Sequence, residues 1–188
     1  TQYGTHIDAP IHFSENKRTL EQLELKELVL PLFVINKEKE VENSPDFILT
    51  AEDILNWEKE NGKIEKDSFV AFASGWSKRW GKSDFYNKDS NGIAHTPGWG
   101  IEALDLILNK RGALAIGHET LDTDASIDII KNNFLLSEKF VLDTNKYQVE
   151  ILNNLNLLPA KGGIIFIGVP KFDKLPGFPV RAFAIIPN

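Results

Sequence analysis

Residues 2–13 have the sequence QYGTHIDAPIHF, which contains two of the four histidines of the chain. In an extended backbone successive side chains point to opposite faces, so the even-numbered polar residues share one face of a strand. Those residues are Gln2, His6, Asp8 and His12, and the residues between them are mostly apolar or small. Imidazole and carboxylate groups gathered in this way suit zinc, manganese or iron, and an additional histidine can act as a base. The segment therefore predicts a strand that presents a metal site, with a strand bearing surface polar groups as the alternative.

The same segment resembles the signature of the cyclase family of metal-dependent hydrolases, whose best-known members are bacterial kynurenine formamidases. That signature is His-x-Gly-Thr-His-x-Asp-x-Pro-x-His, and this chain departs from it only at Gln2, where the family has a histidine. The resemblance continues in the segments SGWSKRW (74–80), HTPGW (95–99), GHETLDTD (117–124) and YQVEILNNL (147–155). It implies one hydrolase domain over residues 1–188, from which an N-terminal segment that normally precedes the motif is missing.

The resemblance also implies a fold and a set of roles. The fold is an α/β domain of the swivelling β/β/α type, and the active site holds a divalent metal, zinc or manganese. By resemblance His6 and Asp8 are metal ligands, and Gln2 occupies the first ligand position. Glu150 supplies a late carboxylate ligand, and His12 is the catalytic acid and base beside the metal.

Two departures from the family pattern affect the expected metal. A neutral amide oxygen is a poorer donor to zinc than imidazole, so Gln2 weakens binding or favours a harder ion such as manganese. The family also has a histidine about a dozen residues before the late glutamate, and the chain has none between His118 and Glu150. We therefore expect a single metal ion, or a second site built from other residues.

The composition limits the classes of function. The 188 residues are 42% hydrophobic and 26% charged, as in an ordinary globular domain. A formal net charge of −6 argues against nucleic acid as a partner, because nucleic-acid binding depends on a basic surface. The absence of cysteine excludes disulfides and thiolate ligands and fits a cytoplasmic location. No apolar run reaches membrane-spanning length, so we expect no membrane partner.

Hydrophobic patterning predicts strands that alternate with helices, which indicates an α/β domain. Pro31 suggests that the first long strand lies at a sheet edge or begins after the proline. The predicted strands are 28–35, 69–73, 113–117, 164–169 and 181–186. The predicted helices lie between the N-cap Thr50 and Gly62, over residues 101–111, and over residues 147–155.

Two further groups of residues are candidates for substrate contact or for support of the metal ligands. His118 and Glu119 follow a predicted strand, where α/β proteins usually place their chemistry, against the alternative of a solvated loop. His95 lies in a turn that either faces solvent or contacts substrate. Trp76 and Trp99 lie in loop-rich segments and are either packed structure or an apolar wall for an aromatic or acyl substrate.

Together these features predict a metal-dependent amidohydrolase that resembles arylformamidase, the kynurenine formamidase of tryptophan catabolism. Its partner is a small amide or lactone, and the resemblance implies a homodimer or homotetramer. One alternative is hydrolysis of another cyclic amide, such as isatin, or of a lactone on the same metal site. Another is a metal-dependent binding protein without turnover. The chain has no cysteine nucleophile and no Gly-x-Ser-x-Gly motif.

Overall fold

The central strands of the structure alternate with helices along the chain, as the sequence predicts. The computed structural model describes residues 2–187, so the first and last residues of the predicted domain lie outside the described range. The strands are β1 (His6–Asp8), β2 (Val29–Asn36), β3 (Ile48–Leu49), β4 (Phe69–Ala73), β5 (Gly98–Trp99), β6 (Ala115–His118), β7 (Tyr147–Glu150), β8 (Gly163–Gly168), β9 (Gly177–Pro179) and β10 (Arg181–Ile185). The α-helices are α1 (Glu38–Asn43), α2 (Ala51–Asn61), α3 (Ile101–Asp105), α4 (Ser126–Asn132) and α5 (Leu136–Asp143). A π-helix, Leu106–Arg111, continues α3, so the two together cover the predicted helix over residues 101–111. No helix within residues 2–187 is long and apolar enough to span a membrane.

Eight of the strands form one mixed sheet in the order β10-β8-β2-β4-β6-β7-β1-β9. The four strands β2, β4, β6 and β7 are parallel. Antiparallel strands flank this centre, with β8 and β10 on one side and β1 and β9 on the other. The short strands β3 and β5 form a separate parallel pair.

Alternation along the central strands sends buried side chains to both faces of the sheet. On one face Leu32 and Phe69 belong to a core that includes Ile7 of β1. On the other face Phe33 and Val70 belong to a second core, which the helices cover. The sheet is therefore a middle layer with a hydrophobic core packed against each face.

Helix α2 begins and ends where the sequence predicts. The Thr50 hydroxyl accepts a hydrogen bond from the backbone N–H of Asp53, and the Asp53 carboxylate accepts one from the backbone N–H of Thr50. This reciprocal arrangement satisfies donors that the first turn leaves free. Gly62 follows the last turn with a φ of 87°, a conformation that favours glycine.

The predicted helix over residues 147–155 is wrong, because residues 147–150 form the strand β7. Tyr147 and Val149 enter the hydrophobic core, whereas Gln148 and Glu150 point to the other side. A run of so few residues fits both the alternation of a strand and the periodicity of a helix, and the apolar residues that follow it favour a helix. Pairing with β6 and β1 decides in favour of the strand.

Both alternatives predicted from Pro31 are also wrong, since β2 lies between β8 and β4 and begins at Val29, before the proline. Pro31 is part of β2 and lies opposite Ile164 of β8. Pairing with β4 begins only at Leu32, one residue later. Proline has no N–H to donate, and Pro31 lies in the part of β2 that pairs with β8 but not yet with β4.

The fold predicts a strong effect of a methyl group at Gly98. A Cβ there would overlap the backbone of Asp124 and Ala125, which a rotamer change cannot move. We expect Gly98→Ala to lower the free energy of unfolding by about 1–3 kcal/mol, measured by urea denaturation. Gly163→Ala is the control, because its Cβ would meet no atom closer than 3.4 Å. Equal stability of the two variants would contradict the close approach at Gly98.

Candidate active site

The antiparallel pairing of β1 with β7 places the histidine and aspartate of the N-terminal motif beside the carboxylate of Glu150. Glu150 lies opposite His6, and Gln148 lies opposite Asp8. Nε2 of His6 is 3.2 Å from Oε2 of Glu150 and 3.7 Å from Oδ2 of Asp8. Nδ1 of the same ring is 2.8 Å from the Gly4 carbonyl oxygen, which can only accept, so Nδ1 is the donor and Nε2 faces the carboxylates. The three side chains are buried and each offers a ligand atom within 4.8 Å of the others, a spacing that suits a metal ion.

Two glutamine amides hold the carboxylates in place. Nε2 of Gln2 donates a hydrogen bond to Oδ1 of Asp8. Nε2 of Gln148 lies 3.3 Å from Oδ2 of Asp8 and 2.9 Å from Oε1 of Glu150, and donates to both. The Thr123 hydroxyl donates to Oε1 of Gln148 at 2.7 Å, which fixes the orientation of that amide. The structure thus places Gln2 beside the expected ligands and adds Gln148, which the sequence did not predict.

Strand β9 closes one side of this cluster and can do so only with a glycine. A Cβ on Gly177 would lie 2.5 Å from Nε2 of Gln2 and 2.9 Å from Oδ1 of Asp8. It would also lie 2.5 Å from the carbonyl oxygen of Ile7. The absence of a side chain at position 177 therefore leaves the space that Gln2 and Asp8 occupy.

His12 lies beside a second group of possible ligands. It ends the short helical turn Pro10–His12, and its Nε2 is 3.8 Å from Oε1 of Glu138 on α5. Asp8, His12 and Glu138 each offer a ligand atom within 4.8 Å of the others, so Asp8 belongs to both groups. Burial lowers the pKa of His12, which keeps its ring neutral and able to accept a proton at neutral pH.

The buried carboxyl groups are too crowded for all of them to ionise without a positive partner. Burial and the charge of Glu150 raise the pKa of Asp8 to about 7, of Asp122 to about 6 and of Glu138 to about 10. Burial lowers the pKa of His6, but the hydrogen bond to Glu150 and the charge of Asp8 outweigh this effect and raise it to about 9. A bound cation is such a partner.

His118, at the end of β6, and Trp99, on β5, support the cluster. Nε1 of Trp99 donates to Nδ1 of His118 at 3.3 Å, so the second ring nitrogen of His118 carries the proton. That atom, Nε2, lies 3.5 Å from Oε1 of Glu150. It is buried and has no hydrogen-bond partner within residues 2–187. Both residues were predicted as substrate or supporting groups, and the structure places them behind Glu150.

Glu119 and Trp76 are also buried, but they face a loop rather than the cluster. Oε2 of Glu119 accepts hydrogen bonds from the backbone N–H groups of Ser74 and Trp76, at 2.9 and 3.0 Å. Oε1 of the same residue accepts from the Ser77 hydroxyl at 2.8 Å. Trp76 in turn donates from Nε1 to the carbonyl oxygen of Phe85 at 2.9 Å. These residues anchor the loop that follows β4 to the end of β6.

His95 lies outside both groups of possible metal ligands. Its Nδ1 is 2.8 Å from Oδ2 of Asp46, and its side chain is about one-third exposed. The hydrogen bond to Asp46 raises the pKa of His95. The structure places this histidine in a surface ion pair, so its predicted contact with substrate gains no support from the geometry.

Glu138 is a second residue that the sequence did not predict. It lies twelve residues before Glu150, at the distance where the family pattern has a histidine. The chain has a carboxylate at the position where the pattern requires an imidazole. Asp124 positions it, because its two carboxylate oxygens accept hydrogen bonds from the backbone N–H groups of Ser137 and Glu138 at 2.8 and 2.9 Å.

The residues of the cluster fit a divalent cation on two observations. Burial, followed by the charge of Glu150, raises the pKa values of Asp8, Glu138 and Asp122, so these carboxyl groups lack sufficient positive charge nearby. The donor set is imidazole and oxygen, which suits zinc and manganese.

Comparison with known proteins identifies the family of the chain. The sequence model of a family described as putative cyclase matches residues 1–125. The chain belongs to the cyclase family. This confirms the family that the motif predicts.

This cyclase-family protein is also similar to hydrolases over nearly its whole length. It is 33% identical to isatin hydrolase of Roseibium aggregatum over 190 aligned positions, which cover 98% of the chain and 72% of that protein. Isatin hydrolase A from Ralstonia solanacearum superposes with a TM-score of 0.90 at 29% identity, covering 98% of the chain and 72% of the other. An isatin hydrolase bound to the product analogue thioisatinate superposes with a TM-score of 0.89 at 32% identity and the same coverage. The mixed α/β fold is therefore that of cyclase-family hydrolases.

The raised pKa of Glu138 predicts how the metal-free protein responds to pH. When the pH exceeds the usual carboxyl pKa of 4.5, Glu138 is ionised in the unfolded chain but still protonated in the folded chain. Its contribution to the free energy of unfolding is therefore greatest below pH 4.5, and it decreases as the pH rises towards the folded pKa of about 10. With chelator present, we expect the melting temperature of wild type to fall below that of Glu138→Gln between about pH 5 and about pH 9.

Thermal unfolding followed by circular dichroism measures this difference. Glu102→Gln controls for the loss of one charge, because Glu102 is exposed on α3. A difference between wild type and Glu138→Gln that stays constant with pH would contradict the raised pKa.

Proposed function

We propose that this protein is a metal-dependent hydrolase that cleaves the C–N bond of a cyclic amide of the isatin type. The observation that carries the proposal is the cluster of His6, Asp8 and Glu150 with His12 beside it. The likeness to isatin hydrolases over 98% of the chain supports the substrate class. In isatin the amide is part of a ring that is fused to an aromatic ring. Hydrolysis opens the amide ring, leaves the aromatic ring intact and gives an amino carboxylate.

We propose one metal ion, held by His6, Asp8 and Glu150 with Gln2 at the remaining position. Three of these four residues offer oxygen, a donor set that suits manganese better than zinc. A bound divalent ion polarises a carbonyl group and lowers the pKa of water. The second group would use His12 as a ligand and remove the base, which is why we favour one ion.

His12 is proposed as the acid and base of the reaction. Its neutral ring takes a proton from the attacking water as the new C–O bond forms at the amide carbon. It then returns that proton to the nitrogen as the C–N bond breaks, so protons balance over the cycle. With a cation bound nearby to lower its pKa, an ionised Glu138, 3.8 Å from Nε2 of His12, would stabilise the protonated ring between these two steps.

Hydrolysis of N-formylkynurenine is a second candidate function, because the motif resembles that of the kynurenine formamidases. Both reactions break an amide C–N bond and need the same base and metal. They differ in the substrate, since the formyl amide is open-chain and the isatin amide is cyclic. Comparison of kcat/KM for the two substrates distinguishes these functions.

We also carry over several broader predictions from the family. They are the swivelling β/β/α arrangement within one domain, a homodimer or homotetramer, and a cytoplasmic location. The α/β sheet supports the first of these, and the absence of cysteine fits the last. Light scattering of the purified protein measures the oligomeric state.

Metal analysis tests the proposed ligands. We expect wild type to hold one equivalent of manganese or zinc per chain, and His6→Ala to lose it, because the imidazole and two carboxylates converge on one point. His95→Ala is the matched histidine control and should keep its metal. Mass spectrometry of the desalted proteins gives the count. Two equivalents in wild type and one in Glu138→Gln would instead support occupancy of the second group.

Steady-state kinetics test the proposed base. We expect His12→Ala to keep its metal and to lose about 10²–10⁴-fold in kcat for isatin, the usual contribution of a positioned acid and base. A rate near that of wild type would exclude His12 as the base. Tight binding of thioisatinate by wild type without turnover of isatin or N-formylkynurenine would favour a binding protein.

A further inference from the structure

We propose that Trp80, supported by Phe85 and Tyr86, forms a surface that receives the aromatic ring of the substrate and favours aromatic over non-aromatic cyclic amides. This inference rests on the proposed hydrolase function. It assigns a place to the part of the substrate that does not react.

A small cavity connects this surface with the segments that carry the metal-ligand candidates. Its volume is about 190 Å³, and its lining includes Ser77 and Trp80. It is also lined by Gly4 and Thr5, which precede His6, and by residues 151–153, which follow Glu150. Pockets for drug-sized ligands usually measure about 300–1,000 Å³, so this cavity suits a ligand of one or two rings.

The loop that carries Trp80 is held rigidly. Glu119 accepts hydrogen bonds from Ser74, Trp76 and Ser77, so the start of the loop is fixed to the end of β6. The indole N–H of Trp76 donates to the carbonyl oxygen of Phe85, which ties the far end of the loop to its start. A rigid loop loses little conformational freedom on binding, as a preformed substrate site requires.

Three aromatic rings follow one another on this loop. The rings of Trp80 and Phe85 meet edge to face with centroids 5.5 Å apart, and those of Phe85 and Tyr86 do so at 5.4 Å. Trp80 is nevertheless 52% exposed and Tyr86 is 40% exposed. The Phe85 contact therefore orients Trp80, while much of the indole surface stays free for a ligand.

The aromatic surface lies next to the segments that carry the metal-ligand candidates. Trp80 lines the same cavity as Gly4 and Thr5, which precede His6, and as residues 151–153, which follow Glu150. A substrate ring against Trp80 can thus lie close to the groups that act on its amide.

Backbone strain at Ile151, which also lines the cavity, supports a functional role. Ile151 has a φ of 53°, a conformation that a β-branched residue rarely adopts. The Thr5 hydroxyl donates to its carbonyl oxygen at 2.6 Å, and its own N–H donates to the Thr120 carbonyl oxygen at 3.1 Å. Strain that the surroundings maintain in this way is concentrated at binding and catalytic sites.

Kinetics with paired substrates test the proposal, with isatin as the aromatic cyclic amide and succinimide as the non-aromatic one. We expect Trp80→Ala to raise KM for isatin by about tenfold, the loss of one aromatic contact, with a change in KM for succinimide below about twofold. Trp80→Phe should restore most of the loss. Phe183→Ala is the control, because it removes a similarly exposed ring, 54% exposed on β10 at the opposite end of the sheet.

Calorimetric binding of thioisatinate to the metal-loaded proteins gives a readout that does not depend on turnover, and metal content checks the site. Equal KM values and equal thioisatinate affinities in wild type and Trp80→Ala would overturn the ring-binding role while the hydrolase function stands. If wild type hydrolyses no substrate but binds thioisatinate through Trp80, the ring site is supported and the hydrolase function fails. If wild type neither binds nor hydrolyses an aromatic ligand, both the ring site and the hydrolase function are overturned.

Discussion

In the antiparallel pairing of β1 with β7, a shift of one residue would turn His6 and Asp8 away from Glu150. The register of β1 is held by its core-facing side chain and by its second edge, because Ile7 is buried in the core and β9 pairs along the edge opposite β7. The imidazole and the two carboxylates therefore meet because apolar packing and pairing on both edges fix a strand of three residues. Gln148 depends on the same register, since it lies opposite Asp8 and donates to both carboxylates.

Much of the fold follows from local patterns in the sequence. The strands β4, β6, β8 and β10 and the helix α2 occur close to their predicted positions, because each has a clear period or a cap. Residues 147–150 were the exception: four residues do not establish a period, and the pairing that decides their conformation comes from strands far along the chain. Pro31 was misleading for a related reason, since its effect depends on where β4 begins to pair.

The candidate site was predictable to the extent that its residues lie in one motif. His6, Asp8 and His12 are close in sequence, and the resemblance to the family added Glu150. Glu138 was missed because the substitution changed the residue type that the pattern requires. Trp76 and Glu119 could be located near strand ends, but their role in anchoring a loop depends on partners that no spacing indicates.

If the proposed ion binds, the crowding of buried carboxyl groups around Asp8 would also make the stability of the folded chain depend on the supply of that ion. With a divalent ion held as proposed, occupancy stabilises the folded state, by about 2.7 kcal/mol when the free ion is at 100 times its dissociation constant. A newly synthesised chain that meets no ion retains the repulsion among these groups and populates its unfolded state more often. Cellular proteases remove such chains preferentially, since a change of about 1–2 kcal/mol alters abundance several-fold. The amount of protein would then follow the supply of metal without any dedicated regulator.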